Sequence, residues 1–196
     1  MLFAQDIAII RVQLDDIEPP IWRRLAAPTT TTLKGLHDLI QAAMGWRDYH
    51  LWEFEVGPNR FGIPDPEFET DPPTRRAATV KLATLIGRGD LALTYTYDFG
   101  DNWRHSVKIE GVEAGRADGS YPCFIEGERR CPPEDVGGTM GYEDFIEAVT
   151  TPRHPERKRM LTWYGGQYDP DDINRQMIEH RFEQIARQRR SRQSAR

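Results

Sequence analysis

The sequence predicts an α+β fold: a β-grasp-like, mostly antiparallel sheet crossed by one main helix, followed by a helical C-terminal extension. Three observations carry this. Period-two alternation of apolar residues recurs in four short stretches between Ala8 and Ile109, as half-buried strands require. A single strong helical repeat, Leu33 to Met44, falls among them. The last third lacks alternation and carries three helical patterns instead. An amphipathic helix covering the apolar face of an antiparallel sheet is the simplest arrangement that buries both.

Taken in order, Ala8, Ile10, Val12 and Leu14 share one face of a first strand, and Glu18-Pro19-Pro20 ends it. Ile21 to Leu25 reads as the returning strand of a hairpin. The threonines Thr29 to Thr32 supply a helix N-cap. Leu33, Leu36, Ile40, Ala43 and Met44 follow at helical spacing, and Gly45 sits where a C-terminal cap belongs. Trp52, Phe54 and Val56 alternate with Glu53 and Glu55 as a third strand, and the turn Gly57-Pro58-Asn59 leads to a short Arg60-Phe61 strand. Residues 62–74 hold four prolines and four acids and read as an exposed loop. Val80 to Ile86 fits one or two helical turns. Leu91, Leu93, Tyr95, Tyr97 and Phe99 form one face of a strand, and Trp103, His105, Val107 and Ile109 one face of the next, with Gly100-Asp101-Asn102 as the hairpin turn. Gly111 to Gly141 reads as irregular. Helices are expected near Tyr142–Val149, Pro155–Trp163 and Pro170–Gln188, with Asp171 and Asp172 in the last helix's first turn and arginines at its end.

The 196 residues fit one domain, residues 1–180, with a basic helix end or tail at 181–196. The net charge of −5 is uneven: residues 181–196 carry six arginines and one acid, whereas residues 1–180 carry 20 basic and 30 acidic side chains. An acidic body argues against a broad nucleic-acid footprint, so Arg187, Arg189, Arg190 and Arg192 are the candidate nucleic-acid contacts. The plainer reading of these arginines is a solvated, frayed helix end. No apolar run reaches the ~18–20 residues that span a bilayer, and the start, Met1 to Asp6, lacks a signal-peptide layout, so a cytoplasmic protein without a membrane partner is expected. Cys123 and Cys131 are expected to be free thiols, since their spacing matches no zinc site.

Asp98, Asp101, His105, Glu134 and Asp135, with His50, are the residues whose types suit a hard or borderline divalent metal such as Mg²⁺, Mn²⁺ or Fe²⁺. Asp98, Asp101, His105 and Glu134 are the candidate ligands, with His50 or His105 as base or ligand. Two such metals drive phosphodiester hydrolysis. Each residue also has a structural explanation: a cross-strand ion pair between Asp98 and Arg104, turn formation by Asp101, and a core position for His105. Asp98-Phe99-Gly100 matches the kinase magnesium motif but lacks the accompanying loops, and the glycines Gly137, Gly138 and Gly141 lack the Lys-Ser/Thr of a phosphate loop. Trp22-Arg23-Arg24, Trp46-Arg47 and Trp103-Arg104 pair aromatics with cations, as single-strand binders do, but fit core tryptophans beside exposed arginines equally simply.

Four stretches together carry a family resemblance: Pro19-Pro-Ile-Trp-Arg-Arg24; Leu36-His-Asp-Leu-Ile-Gln-Ala-Ala-Met-Gly-Trp46 running on to His50-Leu-Trp-Glu-Phe54; Tyr97-Asp-Phe-Gly-Asp-Asn-Trp-Arg-His105; and Pro132-Pro-Glu-Asp-Val-Gly-Gly138 with Gly141-Tyr142. The chain resembles the plasmid pRiA4b open-reading-frame-3-like family over roughly Ile7 to Ile178. The resemblance implies a protein of plasmids and mobile elements, some of whose relatives are labelled resolvase-like, with no established reaction. Resolvase chemistry itself needs a nucleophilic serine, and Ile9-Ile-Arg11-Val-Gln13 puts glutamine in its place. Two functions are therefore expected: a non-enzymatic accessory or binding module engaging protein or nucleic acid through the loop around Pro132–Gly141 and the basic tail; or a metal-dependent hydrolase. No cofactor is expected beyond the candidate divalent metal, and nothing in the sequence specifies an oligomeric state.

Overall fold

The computed structural model describes residues 6–65, 71–116 and 118–194; the expected start at Met1 and part of the 62–74 loop lie outside these. Eight strands form one sheet: β1 (Asp6–Leu14), β2 (Trp22–Pro28), β3 (Trp52–Val56), β4 (Asn59–Gly62), β5 (Arg75–Arg76), β6 (Ala92–Tyr97), β7 (Trp103–Ala114) and β8 (Cys123–Glu128). Their order is β5-β4-β3-β6-β7-β1-β2-β8, and every pairing is antiparallel except β4 with β5. Five α-helices accompany them among the described residues: α1 (Leu33–Met44), α2 (Leu82–Arg88), α3 (Gly138–Thr150), α4 (Arg157–Tyr164) and α5 (Arg175–Ser194). The class is α+β, and the sheet is larger than the expected core. Among the described residues no helix is long and apolar enough to cross a membrane.

The local rules explain α1 fully. The Thr32 hydroxyl accepts from the Gly35 N–H at 3.1 Å, and Gly45, at φ 91°, closes the C-terminus with its N–H on the Gln41 carbonyl. Leu33, Leu36, Leu39 and Ile40 are at most 1% exposed and join the sheet's Ile10, Val12, Phe54 and Tyr95 in one core. Each such side chain contributes about 1.5–3 kcal/mol by leaving water. Ile7, Ile9 and Ala26 point to the other face, where Tyr121, Cys123 and Ile125 cover them.

Three expectations are corrected. The segment read as irregular contains the end of β7 and the whole of β8, which pairs with β2. Gly127 disguised it, yet the strand needs that glycine: a Cβ there would lie 2.6 Å from the Trp22 carbonyl oxygen and 2.7 Å from Arg23 Cδ. Second, Trp22 and Arg23 are reversed from the expected pattern. Trp22 is half-buried and faces outward under Arg11, while Arg23 is only 1% exposed, between Ile21 and Leu25 on the core face. Its guanidinium donates to the carbonyls of Ala43, Trp22, Glu128 and Arg129 at 2.8–2.9 Å, which is what makes burial of that charge tolerable. Third, α5 begins after Asp171 and Asp172. Those acids pair instead with Arg129 and Arg130, both at 2.8 Å.

Over its described length the basic end is helical, with one face packed inward and Arg187 and Arg190 exposed. Ile178, Phe182 and Ala186 recur every fourth residue and are buried. Arg181 donates to the Gln41 and Trp46 carbonyls, at 3.4 and 2.8 Å, and Arg23 to the Ala43 carbonyl, so side chains from α5 and β2 add to the Gly45 cap at α1's C-terminus.

Candidate functional site

Three connections between elements meet at one end of the sheet: residues 45–51 between α1 and β3, the β6–β7 turn, and residues 129–137 between β8 and α3. The turn is fixed first. Asp98 follows the last ladder pair, Tyr97 with Trp103, and adopts φ 56°. Its Oδ1 accepts from the N–H groups of Gly100 and Asp101 at 2.9 and 3.3 Å, an Asx turn, while its own N–H donates to the Leu51 carbonyl at 2.9 Å. Asp101 Oδ2 then accepts from the Gly137 N–H at 3.2 Å and ties the turn to the start of α3. Gly138, at φ 67°, packs against the Asp101 carbonyl so closely that a Cβ would come within 2.8 Å of it.

Glu134 is held from the opposite side. Its Oε1 accepts from the Arg47 N–H at 2.8 Å, and the Tyr97 hydroxyl lies 3.2 and 3.1 Å from its two oxygens. Tyr97 also accepts from the Tyr49 N–H at 3.0 Å. Burial, reinforced by the Glu134 charge, raises the Tyr97 phenol well above its usual range, so the hydroxyl stays a donor to the carboxylate. Trp46 donates its indole N–H to the Pro132 carbonyl at 3.0 Å and stacks on Tyr97, with ring centroids 4.9 Å apart.

His50 sits at the centre. Its Nε2 lies 3.2 Å from Asp135 Oδ1, 3.6 Å from Asp98 Oδ2 and 3.7 Å from Glu134 Oε2. None of these is a hydrogen bond: Nε2 is buried as an atom yet has no hydrogen-bond partner among the described residues. No Lys or Arg among the described residues forms an ion pair with Asp98, Glu134 or Asp135. One ligand atom each from His50, Asp98 and Asp135 lies within 4.8 Å of the others, a spacing open to a metal ion.

The remaining predicted residues are elsewhere. Arg104 stands opposite Thr96 and reaches Asp15 at 3.8 Å, so the expected Asp98–Arg104 ion pair does not form; Asp98 has already left the ladder. His105 is fully buried, with Nδ1 3.2 Å from the Tyr95 carbonyl and its ring against Trp46 and Tyr95, and burial lowers its pKa to about 4. It is a core histidine and does not join the cluster. Asp101 is spent on Gly137. Cys123 and Cys131 are free thiols, and burial pushes the Cys131 thiol up. Of the basic end, Arg187 pairs with Glu183 at 3.1 Å, Arg189 donates to Thr30 and Thr31, and Arg190 donates to Ser120 at 2.8 Å; Arg192 lies in α5 with its side chain outside the described ones.

Sequence reasoning missed Tyr97, the donor that orients Glu134, although it stands next to Asp98 in one of the family motifs. It also missed a cleft of about 360 Å³ that shares Glu134 and Asp135 with the cluster and is lined further by Arg47, Tyr49, Trp163 and Arg181.

Comparison with known proteins places these features in a family. Residues 6–177 match the model of the plasmid pRiA4b ORF-3-like proteins, and the chain belongs to that family. An uncharacterized protein of Sinorhizobium fredii, y4hQ, is 38% identical over 179 residues, covering 90% of this chain and 91% of that one. The crystal structure of a protein of unknown function from Methanosarcina mazei Go1 is similar at a TM-score of 0.79 and 33% identity, covering 88% of this chain and 96% of the other.

Proposed function

We propose that this protein is a non-enzymatic binding module of plasmids and other mobile elements, built around a divalent-cation site. His50 Nε2 and the Asp98 and Asp135 carboxylates are the ligands, and Glu134, oriented by Tyr97, completes the negative wall. One observation carries this reading: a histidine nitrogen without a hydrogen bond lies 3.2–3.7 Å from three carboxylate oxygens with which no Lys or Arg among the described residues forms an ion pair. Metal–ligand distances of about 2.1 Å put neighbouring ligand atoms roughly 3.0–3.4 Å apart, so a cation fits with small side-chain shifts. A mixed imidazole–carboxylate set suits Mn²⁺, Fe²⁺ or Zn²⁺ better than Ca²⁺. The family description supports the association with plasmids. Residues 1–180 are read as one domain with a β-grasp-like core, acting in the cytoplasm, with a protein, or nucleic acid met by the α5 arginines, as partner.

A second reading, a metal-dependent hydrolase, is favoured by the cleft that opens directly onto Glu134 and Asp135. Calorimetric titration of metal-free protein with Mn²⁺ tests the shared premise. One equivalent is expected to bind, and Asp98→Asn to weaken it at least about tenfold. Unchanged binding in that variant removes the site, and with it both readings.

A further inference from the structure

The cleft beside the cluster has its own chemistry. Its volume of about 360 Å³ is at the small end of ligand sites, enough for one nucleotide and too little for a strand. Arg181 spends Nη1 on the Gln41 and Trp46 carbonyls, and its Nε and Nη2 have no hydrogen-bond acceptor among the described residues. Arg47, on the exposed loop, is the like charge that Arg181 feels. Burial first, and then Arg47, push the Arg181 pKa down. Arg181 has no acidic ion-pair partner among the described residues, unlike Arg24, Arg129 and Arg130, whereas Arg47 is engaged by Tyr49 and attracted by Glu134. Two like charges that share one cleft favour an anion between them, and planar N–H forks match phosphate oxygens. Large aromatic surfaces flank them: Tyr49 is 66% exposed and Trp163 is 49% exposed, although most tryptophans of the chain are buried. An exposed ring beside paired arginines is what a base-bearing phosphate ester requires.

We propose that this cleft binds a mononucleotide, with its phosphate between Arg47 and Arg181 and its base stacked on Trp163. The inference goes beyond the cation site and does not depend on it, because its contacts come from other side chains. A cation at His50 would add attraction along the wall formed by Glu134 and Asp135, which otherwise repels the phosphate.

Calorimetric titration of the full chain with adenosine monophosphate, alongside inorganic phosphate, tests this, each in EDTA and again in Mn²⁺. The monophosphate is expected to bind in EDTA, at least about tenfold more tightly than phosphate, since a stacked base adds roughly 1–3 kcal/mol. Arg47→Gln, on the exposed loop, and Trp163→Leu should each weaken it by about tenfold. Arg181→Gln should do the same, but Arg181 also caps α1, so the first two variants keep the result readable. Asp98→Asn should leave binding in EDTA intact, which separates failure of the cleft from failure of the cation site. No monophosphate binding in EDTA, equal binding of phosphate and monophosphate, or affinity unchanged in Arg47→Gln would overturn the proposal.

Discussion

Among the described residues two clusters have the same composition, one histidine and two aspartates with ligand atoms within 4.8 Å of one another, and opposite physical character. In the cluster of His37, Asp38 and Asp48, both ring nitrogens are occupied: Nδ1 is 2.8 Å from the Tyr95 hydroxyl and Nε2 is 2.9 Å from Asp48 Oδ1. The ring stacks on Trp52 at 4.0 Å, and Lys34 Nζ already lies 2.7 Å from Asp38 and 3.5 Å from Asp48. In the cluster of His50, Asp98 and Asp135, the nitrogen lacks a hydrogen bond and no lysine or arginine among the described residues forms an ion pair with either carboxylate. The first is finished structure; the second is the site proposed here for a cation. Residue types do not separate the two; what separates them is which charges and lone pairs the fold has already used.

Acid should expose the finished side of that contrast most strongly. Burial first lowers the pKa of both His37 and His105 to about 4, so both are neutral in the folded protein where an unfolded histidine begins to charge near 6.5. The unfolded state then binds more protons, so stability is complete above about pH 6.5 and falls as the pH drops toward 4. The loss is on the order of 3 kcal/mol per histidine at the lower end, by the usual 1.36 kcal/mol per pH unit. Urea unfolding at pH 7, 5.5 and 4.5 measures it, and His105→Gln should flatten the slope. Constant stability over that range contradicts neutral burial.

Replacing the two cluster histidines should give the next largest difference. His37→Ala removes a stacked ring and two buried hydrogen bonds and should cost about 2–4 kcal/mol. His50→Ala should cost less than about 1 kcal/mol, because the ring is partly exposed and makes no hydrogen bond through Nε2. Equal losses in denaturant midpoint would erase the distinction between the clusters. Smaller again is the effect of emptying the finished cluster of its cation. Lys34→Met removes an exposed helical ion pair worth roughly 0.3–0.5 kcal/mol. It should not create Mn²⁺ affinity, because both His37 nitrogens stay engaged; a new binding isotherm in that variant would show that charge alone decides.

Much of this fold was legible because its signals are local. Thr32, the helical spacing of Leu33 to Met44 and Gly45 mark the bounds of α1 locally. Alternation did the same for β1, β3, β6 and β7. Elements failed where a residue's role is set by a distant partner. Gly127 reads as a loop until Arg23 needs the space above it, and Asp171 and Asp172 read as helix-start acids until Arg129 and Arg130 claim them. For the site, the residue types His50, Asp98, Glu134 and Asp135 were legible, but their convergence depends on three loops docking together. His105 looked equally suitable as a ligand. Only its place on the inward face, behind Trp46, removes it.

The most direct measurement is an anomalous difference map from crystals soaked in manganese chloride. A single strong peak is predicted between His50 Nε2, Asp98 Oδ2 and Asp135 Oδ1, about 2.2 Å from each, with none beside Asp38 and Asp48. A peak in the His37 cluster, or no peak at His50, would contradict the assignment.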